Sequence, residues 1–453
     1  MTAIQQNSHR PEPGTATEAA PSHGSFDGYD RPFWWEDAPR PDTGSGTLPE
    51  AADVAVVGSG YAGLTAALTL ARAGREVVVL EADVPGFGAS SRAGGMIGGG
   101  HVMPFELLAK RFGESRAAAI LKEGVNAFEF TTNLIRSEGI ECDFRQVGRL
   151  RAAWRPRDFD MIRRDVDSVI RHFGYDVTVI SKAELEDEIR TECYSGGCIY
   201  NRHGGLHPAK FHAGLLHRAE QCGVKVMSRA RVVGMERDTA GHRVDTVRGS
   251  LSAGDVIVAT NGYTLPELRP FARRLIPVHA YMIATGPLGE ARVRQLIPNH
   301  RMVVETRWRH CYYRPSPDGR RILFGARASL GRIRLDRAAA ILRRLMIGIF
   351  PDLADVPVTH CWTGKLGFAR DFLPHLGAID GRHYALACNG SGVALLPYLG
   401  YLAAQKVLGS SDGDNAYDGQ EFRQIHPFYT GRPWFRPFLS GFYRWKDFRE
   451  GSG

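Results

Sequence analysis

The 453-residue sequence predicts an α/β fold in which a parallel-sheet domain is split by an inserted antiparallel-sheet domain of α+β character. Three observations carry that expectation. Between Asp53 and Glu81, an apolar run, a glycine-rich turn, a helical pattern and a second apolar run follow one another. Residues 275–325 hold short β-type runs divided by turns, the texture of an antiparallel sheet. Asp255 to Ala259 and, much later, Gly390-Ser391-Gly392 ahead of a long apolar helix return the chain to the first domain.

The opening unit reads DVAVVGSGYAGLTAALTLARAGREVVVLE. Gly58 permits a tight turn straight off the strand Val54 to Val57. Gly60 lets backbone approach a pyrophosphate, and Gly63 lets the helix lie close on the sheet. Tyr61 and Ala62 begin that helix, whose free N–H groups and partial positive charge suit phosphate oxygens. Glu81 lies roughly 20 residues on, at the end of the second strand with Ala82 beside it, where a carboxylate accepts from ribose hydroxyls. A 2′-phosphate would meet that charge unfavourably, so FAD or NAD is favoured over NADP. Glycine is common here, 52 of 453 residues, so the glycines alone are a weak signal. Strand before, helix after and acid beyond make the strong one.

The length exceeds what one core usually supports, so two domains are expected. Apolar content of 43% and charged content of 23% are ordinary for a globular protein. The net charge of +8 comes from scattered arginines without a basic block, which argues against a nucleic-acid groove. Seven cysteines without a C-x-x-C read as reduced thiols of a cytoplasmic chain, neither a disulfide frame nor a metal site. Met1 to Ser25 lacks an apolar signal core and reads as disordered. Val393 to Leu408 is too short to span a bilayer and reads as a buried helix.

The leader DRPFWWEDAPR (residues 30–40) precedes the first strand, and its paired tryptophans are expected to dock on the body. Helices are predicted in Pro104 to Ile140, Arg155 to Phe173, Lys182 to Ile189, Pro208 to Cys222 and Leu335 to Phe350. Strands are predicted at Val224 to Ser228, Val232 to Arg237, Arg243 to Arg248, Leu275 to Thr285, Met302 to Glu305, Cys311 to Arg314, Arg321 to Gly325 and Tyr384 to Ala387.

In these motifs the chain resembles flavin-dependent amine oxidoreductases of the D-amino-acid oxidase superfamily, most of all γ-glutamylputrescine oxidase-like enzymes. The resemblance runs from Asp53 to Leu408. It rests on the glycine fingerprint with Glu81 and on the loop Gly86-Phe87-Gly88-Ala89-Ser90-Ser91-Arg92-Ala93-Gly94-Gly95-Met96. It rests also on Val256-Ile257-Val258-Ala259-Thr260-Asn261-Gly262 and on Trp362-Thr363-Gly364 through Gly390-Ser391-Gly392. The subgroup marks are Gly204-Gly205-Leu206-His207-Pro208, Ile283 to Leu288 and Ile322-Leu323-Phe324-Gly325.

The resemblance implies a Rossmann-like FAD-binding domain (50–105, 190–270 and 365–410) with an inserted antiparallel-sheet substrate domain (106–189 and 271–364). A tail (1–49) and an aromatic C-terminal segment (411–453) flank them. It implies FAD at Gly58, Gly60, Tyr61, Ala62, Gly63, Glu81 and Ala82. The pyrophosphate and flavin loop contributes Gly88, Ala89, Ser90, Arg92, Gly94, Gly95 and Met96. Val232, Asn261 and Gly262 follow, and Gly390, Ser391, Gly392 and Val393 face the electron-rich edge of the flavin.

Departures from the family sharpen the expectation. Sarcosine oxidases attach flavin to a cysteine where this chain has Gly364-Lys365-Leu366-Gly367, so FAD is expected to be non-covalent, with Cys361 the remote alternative. The lysine that holds a substrate carboxylate is replaced within Val393-Ala394-Leu395-Leu396, and Leu323 stands for a lysine linked to oxygen activation. Ser391 stands where many relatives carry histidine. These changes favour oxidation of an amine C–N bond, with hydride to flavin N5, an imine that hydrolyses, and O2 or another acceptor taking the electrons. A quinone- or carrier-linked dehydrogenase, an amino or imino acid oxidase, and a non-catalytic FAD-binding protein are the alternatives.

The expected pocket draws on His279 and Tyr281, which share one face of a strand, on Tyr312 and Tyr313, which point oppositely, and on Arg314 and Trp362. Each single aromatic is more often plain core than pocket, and Trp34, Trp35 and Trp362 are read the same way. Arg307, Arg309 and Arg314 could hold a distal carboxylate or form a solvated edge.

Overall fold

The computed structural model describes residues 31–41, 46–100, 103–173, 175–239, 241–307, 309–329 and 331–435. Met1 to Ser25 and the C-terminal aromatics Phe438, Phe442, Tyr443 and Trp445 lie outside them.

Alternating strands and helices with short glycine turns build the first sheet. Ala51–Val57 sits at its centre, parallel to Gly249–Val258 on one side and Val77–Leu80 on the other. Lys225–Met227 extends one flank in parallel, and Arg382–Leu386 the other. His375–Ile379 closes that edge antiparallel, and a hairpin of Val232–Arg237 and His242–Thr246 folds onto Gly249–Val258. The apolar runs Val54–Val57, Val77–Leu80 and Val256–Val258 are buried on both faces, as a parallel sheet requires. Helix Tyr61–Arg72 crosses helix Gly392–Val407 so closely that a Cβ on Gly400 would lie 2.1 Å from the Ala62 carbonyl oxygen. Gly400 is therefore the contact that seats the closing helix.

The second sheet runs in the order Val358–Phe368, Ile276–Thr285, Ile322–Ala326, Tyr312–Pro315, Met302–Glu305, Arg149–Ala152, Gly196–Tyr200, Val177–Ser181. All its pairs are antiparallel except Met302–Glu305 with Arg149–Ala152, which is parallel. One face packs Tyr281, Ile283, Val303, Tyr313, Phe324 and Cys361 under helix Leu335–Ile349. The other face presents Met282, Ala284, Leu323 and Trp362 to the first domain.

Helices Phe105–Phe112, Glu114–Ser137, Pro156–Phe173 and Pro208–Gln221 lie where the periodicity puts them. Residues 182–189 differ. A strand, Val177–Ser181, runs into a single 3-10 turn, Glu184–Asp187, where the Ser181 N–H donates to the Glu184 carboxylate at 2.7 Å. That local cap stops a longer helix from forming. The second sheet also takes in Gly196–Tyr200 and runs to Phe368, so its share of the chain is larger than the boundaries at 190 and 364 anticipate. Among the described residues no helix is long and apolar enough to cross a membrane.

Candidate active site

The turn after the first strand is fixed by close approaches. Gly58 sits at φ +101°, a conformation that strains any side chain, and a Cβ on Gly63 would lie 1.9 Å from the Gly58 carbonyl oxygen. A Cβ on Gly60 would come 3.1 Å from the Ser90 hydroxyl. That hydroxyl accepts from the Tyr61 N–H at 3.0 Å, which ties the flavin loop to the helix N-terminus. No side chain caps this helix, so its other leading amides remain as donors. The Tyr61 ring points elsewhere, its hydroxyl donating to the Pro208 carbonyl at 2.9 Å.

Glu81 is held at the end of the second strand. Its Oε2 accepts from the Ser59 N–H (3.0 Å) and hydroxyl (2.6 Å), and its Oε1 accepts from the Asp83 N–H (3.1 Å). A carboxylate offers about four acceptor positions, so capacity remains for ribose hydroxyls. Ala82 is exposed beside it. The Ala230 N–H donates to the Glu81 carbonyl at 2.7 Å, which brings the start of the strand at Val232 alongside.

Gly88 leads into the turn Ala89–Ser91. Beyond it, donors from different parts of the chain hold the carbonyls of the flavin loop. Trp362 Nε1 donates to Arg92 (2.8 Å), Trp34 Nε1 to Ala93 (2.9 Å) and Arg314 Nη1 to Gly95 (2.8 Å). Gly94 lies against Tyr312 and Met282, where a Cβ would meet the tyrosine ring at 3.3 Å. Met96 pairs with Gly205 in a short two-stranded ladder. Arg92 is turned from the phosphate end. Its guanidinium stacks on Trp35 (4.5 Å) and Phe87 (4.8 Å), and its Nε donates to the Phe87 carbonyl at 2.7 Å. The leader thus docks: Trp34 is fully buried and meets the His207 ring edge-on at 4.9 Å.

At the far end, Gly390 adopts φ +105° with open space where a Cβ would stand, and Ser391 leaves the next helix without a side-chain cap. The free amides around Gly392 and Val393 suit the electron-rich edge of a flavin. Asn261, at φ +41°, is occupied structurally. Its Oδ1 accepts from the Ala387 N–H at 3.1 Å and its Nδ2 contacts Cys388 Sγ at 3.1 Å. Gly262 is required because a Cβ there would lie 2.6 Å from the Lys365 carbonyl oxygen.

Strand parity divides the pocket residues. Trp362 and Tyr312 face the flavin loop. Tyr281 and Tyr313 face the opposite core: the Tyr281 hydroxyl donates to the Gly331 carbonyl at 2.9 Å, and the Tyr313 hydroxyl lies 2.7 Å from that of Tyr194. His279 shares the Tyr281 face and lines an open cleft of about 420 Å³ with Tyr263, Lys365 and Trp434. Arg307 is bound to Glu305 through Nε and Nη2 (2.6 and 2.7 Å), away from the flavin face. Arg314 faces the loop, but it donates to the carbonyls of Gly95, Leu206 and Pro315, and burial pushes its guanidinium down to about 10. Cys361 points into the second core, where its thiol donates to the Leu335 carbonyl at 3.4 Å and burial pushes its pKa up to about 12. No attachment to flavin is available from that side chain.

Backbone cradle, uncapped helix ends and a held carboxylate together fit a dinucleotide whose one end is a flavin. The family model described as DAO, FAD dependent oxidoreductase, matches residues 53–406. The chain belongs to this family. Relatives include a probable oxidoreductase OrdL of Haemophilus influenzae, 31% identical over 85% of this chain and 89% of that protein. A gamma-glutamylputrescine oxidoreductase of Escherichia coli is 28% identical over 86% and 90%. The crystal structure of glycine oxidase from Geobacillus kaustophilus shares the fold, with a TM-score of 0.67, 24% identity, and coverage of 83% of this chain and 99% of that one. This DAO-family protein is an FAD-dependent oxidoreductase that holds its cofactor non-covalently.

The sequence reading missed a group on the side of the second sheet that carries Tyr312: Arg149, Tyr200, His310 and Arg327. The alternation Arg149-Leu150-Arg151-Ala152, polar at every second position, was the available signal.

Proposed function

We propose that the protein oxidises the C–N bond of a secondary or N-substituted amine. The observation that carries this reading is the state of Arg314. It is a cation at Gly95, and its hydrogen bonds go to carbonyls instead of outward. Leu323 and Ala394, which stand for the family's lysines, are buried among apolar side chains. A site so lined offers no ready clamp for a carboxylate on the carbon next to the reacting nitrogen, and favours an amine without one. The name of the E. coli relative points the same way, to an acylated diamine.

The α C–H and N–H of the amine are lost as a hydride and a proton, and the imine takes up water to give a carbonyl compound and an amine. Bound FAD supplies the two-electron acceptor, and O2, reduced to H2O2, restores it. The chain's own contribution is placement and dryness. Tyr312 and Met282, packed on Gly94, wall the reacting position, and Trp362 and Trp34 keep the loop rigid. The test is anaerobic flavin reduction with polyamines, N-acylated diamines, N-methyl amino acids and D-amino acids. Bleaching by an N-substituted diamine supports the reading; bleaching by amino acids alone overturns it.

A further inference from the structure

The flavin loop crosses the second sheet diagonally. Gly94 lies over Tyr312, Gly95 is held by Arg314, and a Cβ on Gly100 would lie 3.9 Å from Arg149 Nη2. Register places Arg149 and Arg151 on the same face as Met302, Val304 and Tyr312. One strand separates Arg149–Ala152 from Tyr312–Pro315, so the two sites stand about 10 Å apart by strand spacing. Tyr312, Arg149, Tyr200 and His310 lie deep in the protein yet keep accessible surface, as do Gly94, Met96, Gly98 and Gly100. These partly exposed residues form a row from residues 94–96 to Arg149.

The far end of that row is cationic. The Arg149 guanidinium rests on the Tyr200 ring at 5.2 Å, and no carboxylate among the described residues pairs with it. Its neighbour Arg151 is paired, with Asp165 at 3.0 Å. Burial pushes Arg149 below its usual range. His310, 6.3 Å ring to ring from Tyr312, is pushed down to about 3 by burial and by Arg327, Arg149 and Arg151. His203, stacked on Tyr200 at 4.9 Å, is also held neutral by burial and nearby arginines. A neutral imidazole adds a donor and an acceptor without more positive charge. A buried guanidinium without a counter-charge is costly, and an anionic ligand relieves the cost.

We propose that this recess, with Arg149 at its centre, binds a carboxylate at the far end of the amine substrate, while the reacting C–N bond lies at Gly94 and Tyr312. The proposal rests on the amine-oxidation reading and narrows it. The substrate class becomes an amine with an acid group about 10 Å from the reacting carbon by the strand spacing. An α-amino acid, whose two groups share one carbon, cannot span that distance.

The test compares N-glutaryl-1,4-diaminobutane with its methyl ester in anaerobic flavin reduction by the FAD-loaded enzyme. Wild type should prefer the acid in kcat/KM by roughly 100-fold, and Arg149→Met should collapse that ratio towards one, with partial recovery in Arg149→Lys. Each ratio is internal to one variant, so a folding defect does not mimic the result. Glutarate titrated against the flavin absorbance gives a readout independent of turnover. If no amine bleaches the flavin but glutarate perturbs it and Arg149→Met abolishes the effect, the recess stands and amine oxidation falls. If amines react with no acid-over-ester preference, or the preference survives in Arg149→Met, the recess is overturned and amine oxidation stands.

Discussion

The two ends of the proposed cofactor cleft are built from different materials. At the pyrophosphate end, backbone makes the site: Gly58, Gly60 and Gly63 clear space, and an uncapped helix supplies amides. At the flavin end, side chains from distant segments make it: Trp362, Trp34 and Arg314 reach over from the second sheet and the leader to hold the carbonyls of Arg92, Ala93 and Gly95. A site made of backbone tolerates no added atom, whereas a site made of side chains can lose one contact and keep the rest. Substitutions at each end test that contrast.

The largest effect should come from Gly63→Ala. Its Cβ would sit 1.9 Å from a backbone oxygen that cannot rotate away, so helix or turn must move. Overpacking of this kind costs about 3 kcal/mol, and the protein should purify without flavin colour. Retention of a full complement of FAD at wild-type melting temperature would refute the backbone account.

Acid should weaken the side-chain end next. His310 is pushed down to about 3, below an unfolded value near the usual 6.5, so between those limits the unfolded chain binds the extra proton. Stability therefore falls as pH drops from about 6.5 towards 3, by less than about 1.4 kcal/mol per pH unit. Melting curves of wild type and His310→Gln across that window check the sign. The variant should show the shallower slope, and identical slopes would remove His310 from the account.

Tyr312 and Tyr313, neighbours in sequence, should separate function from stability. Tyr313→Phe removes the hydroxyl that meets Tyr194 beside Glu305 and should cost about 1.5 kcal/mol, with flavin reduction little changed. Tyr312→Phe should leave the melting temperature near wild type and alter kcat/KM for the amine by several-fold. The reverse pattern would mean that the faces are assigned wrongly.

Parity is also where the sequence stops being informative. The glycine turn, Glu81 and the closing Gly390-Ser391-Gly392 were legible because a close approach or a strongly positive φ favours glycine, and because the order of strand, turn, helix and acid is local. His279, Tyr281, Tyr312 and Tyr313 could be placed on opposite faces by alternation, but alternation does not say which face looks at the flavin. That depends on neighbours more than a hundred residues away: the parallel pairing of Met302–Glu305 with Arg149–Ala152 puts Arg149 on the face that carries Tyr312. Strands 149–152, 177–181 and 196–200 went unread because they are short, and Arg-Leu-Arg-Ala lacks the β-branched enrichment that marks a strand.

The smallest effect tests whether the loop's holders act together. Trp362→Phe and Trp34→Phe each remove one indole N–H while keeping an aromatic ring, and each leaves one loop carbonyl unpaired. The expected cost is about 1 kcal/mol apiece, or roughly fivefold weaker FAD binding. The two carbonyls belong to adjacent residues, Arg92 and Ala93, so freeing one lets the other shift. The double variant should then lose less than the sum, because the second bond is already weakened when the first is gone. FAD titration of the four apoproteins measures the coupling. Strict additivity would mean that each tryptophan holds its own carbonyl independently and that the loop is rigid without them. Coupling would identify the leader as part of the flavin site, joined to the second sheet through a single segment of backbone.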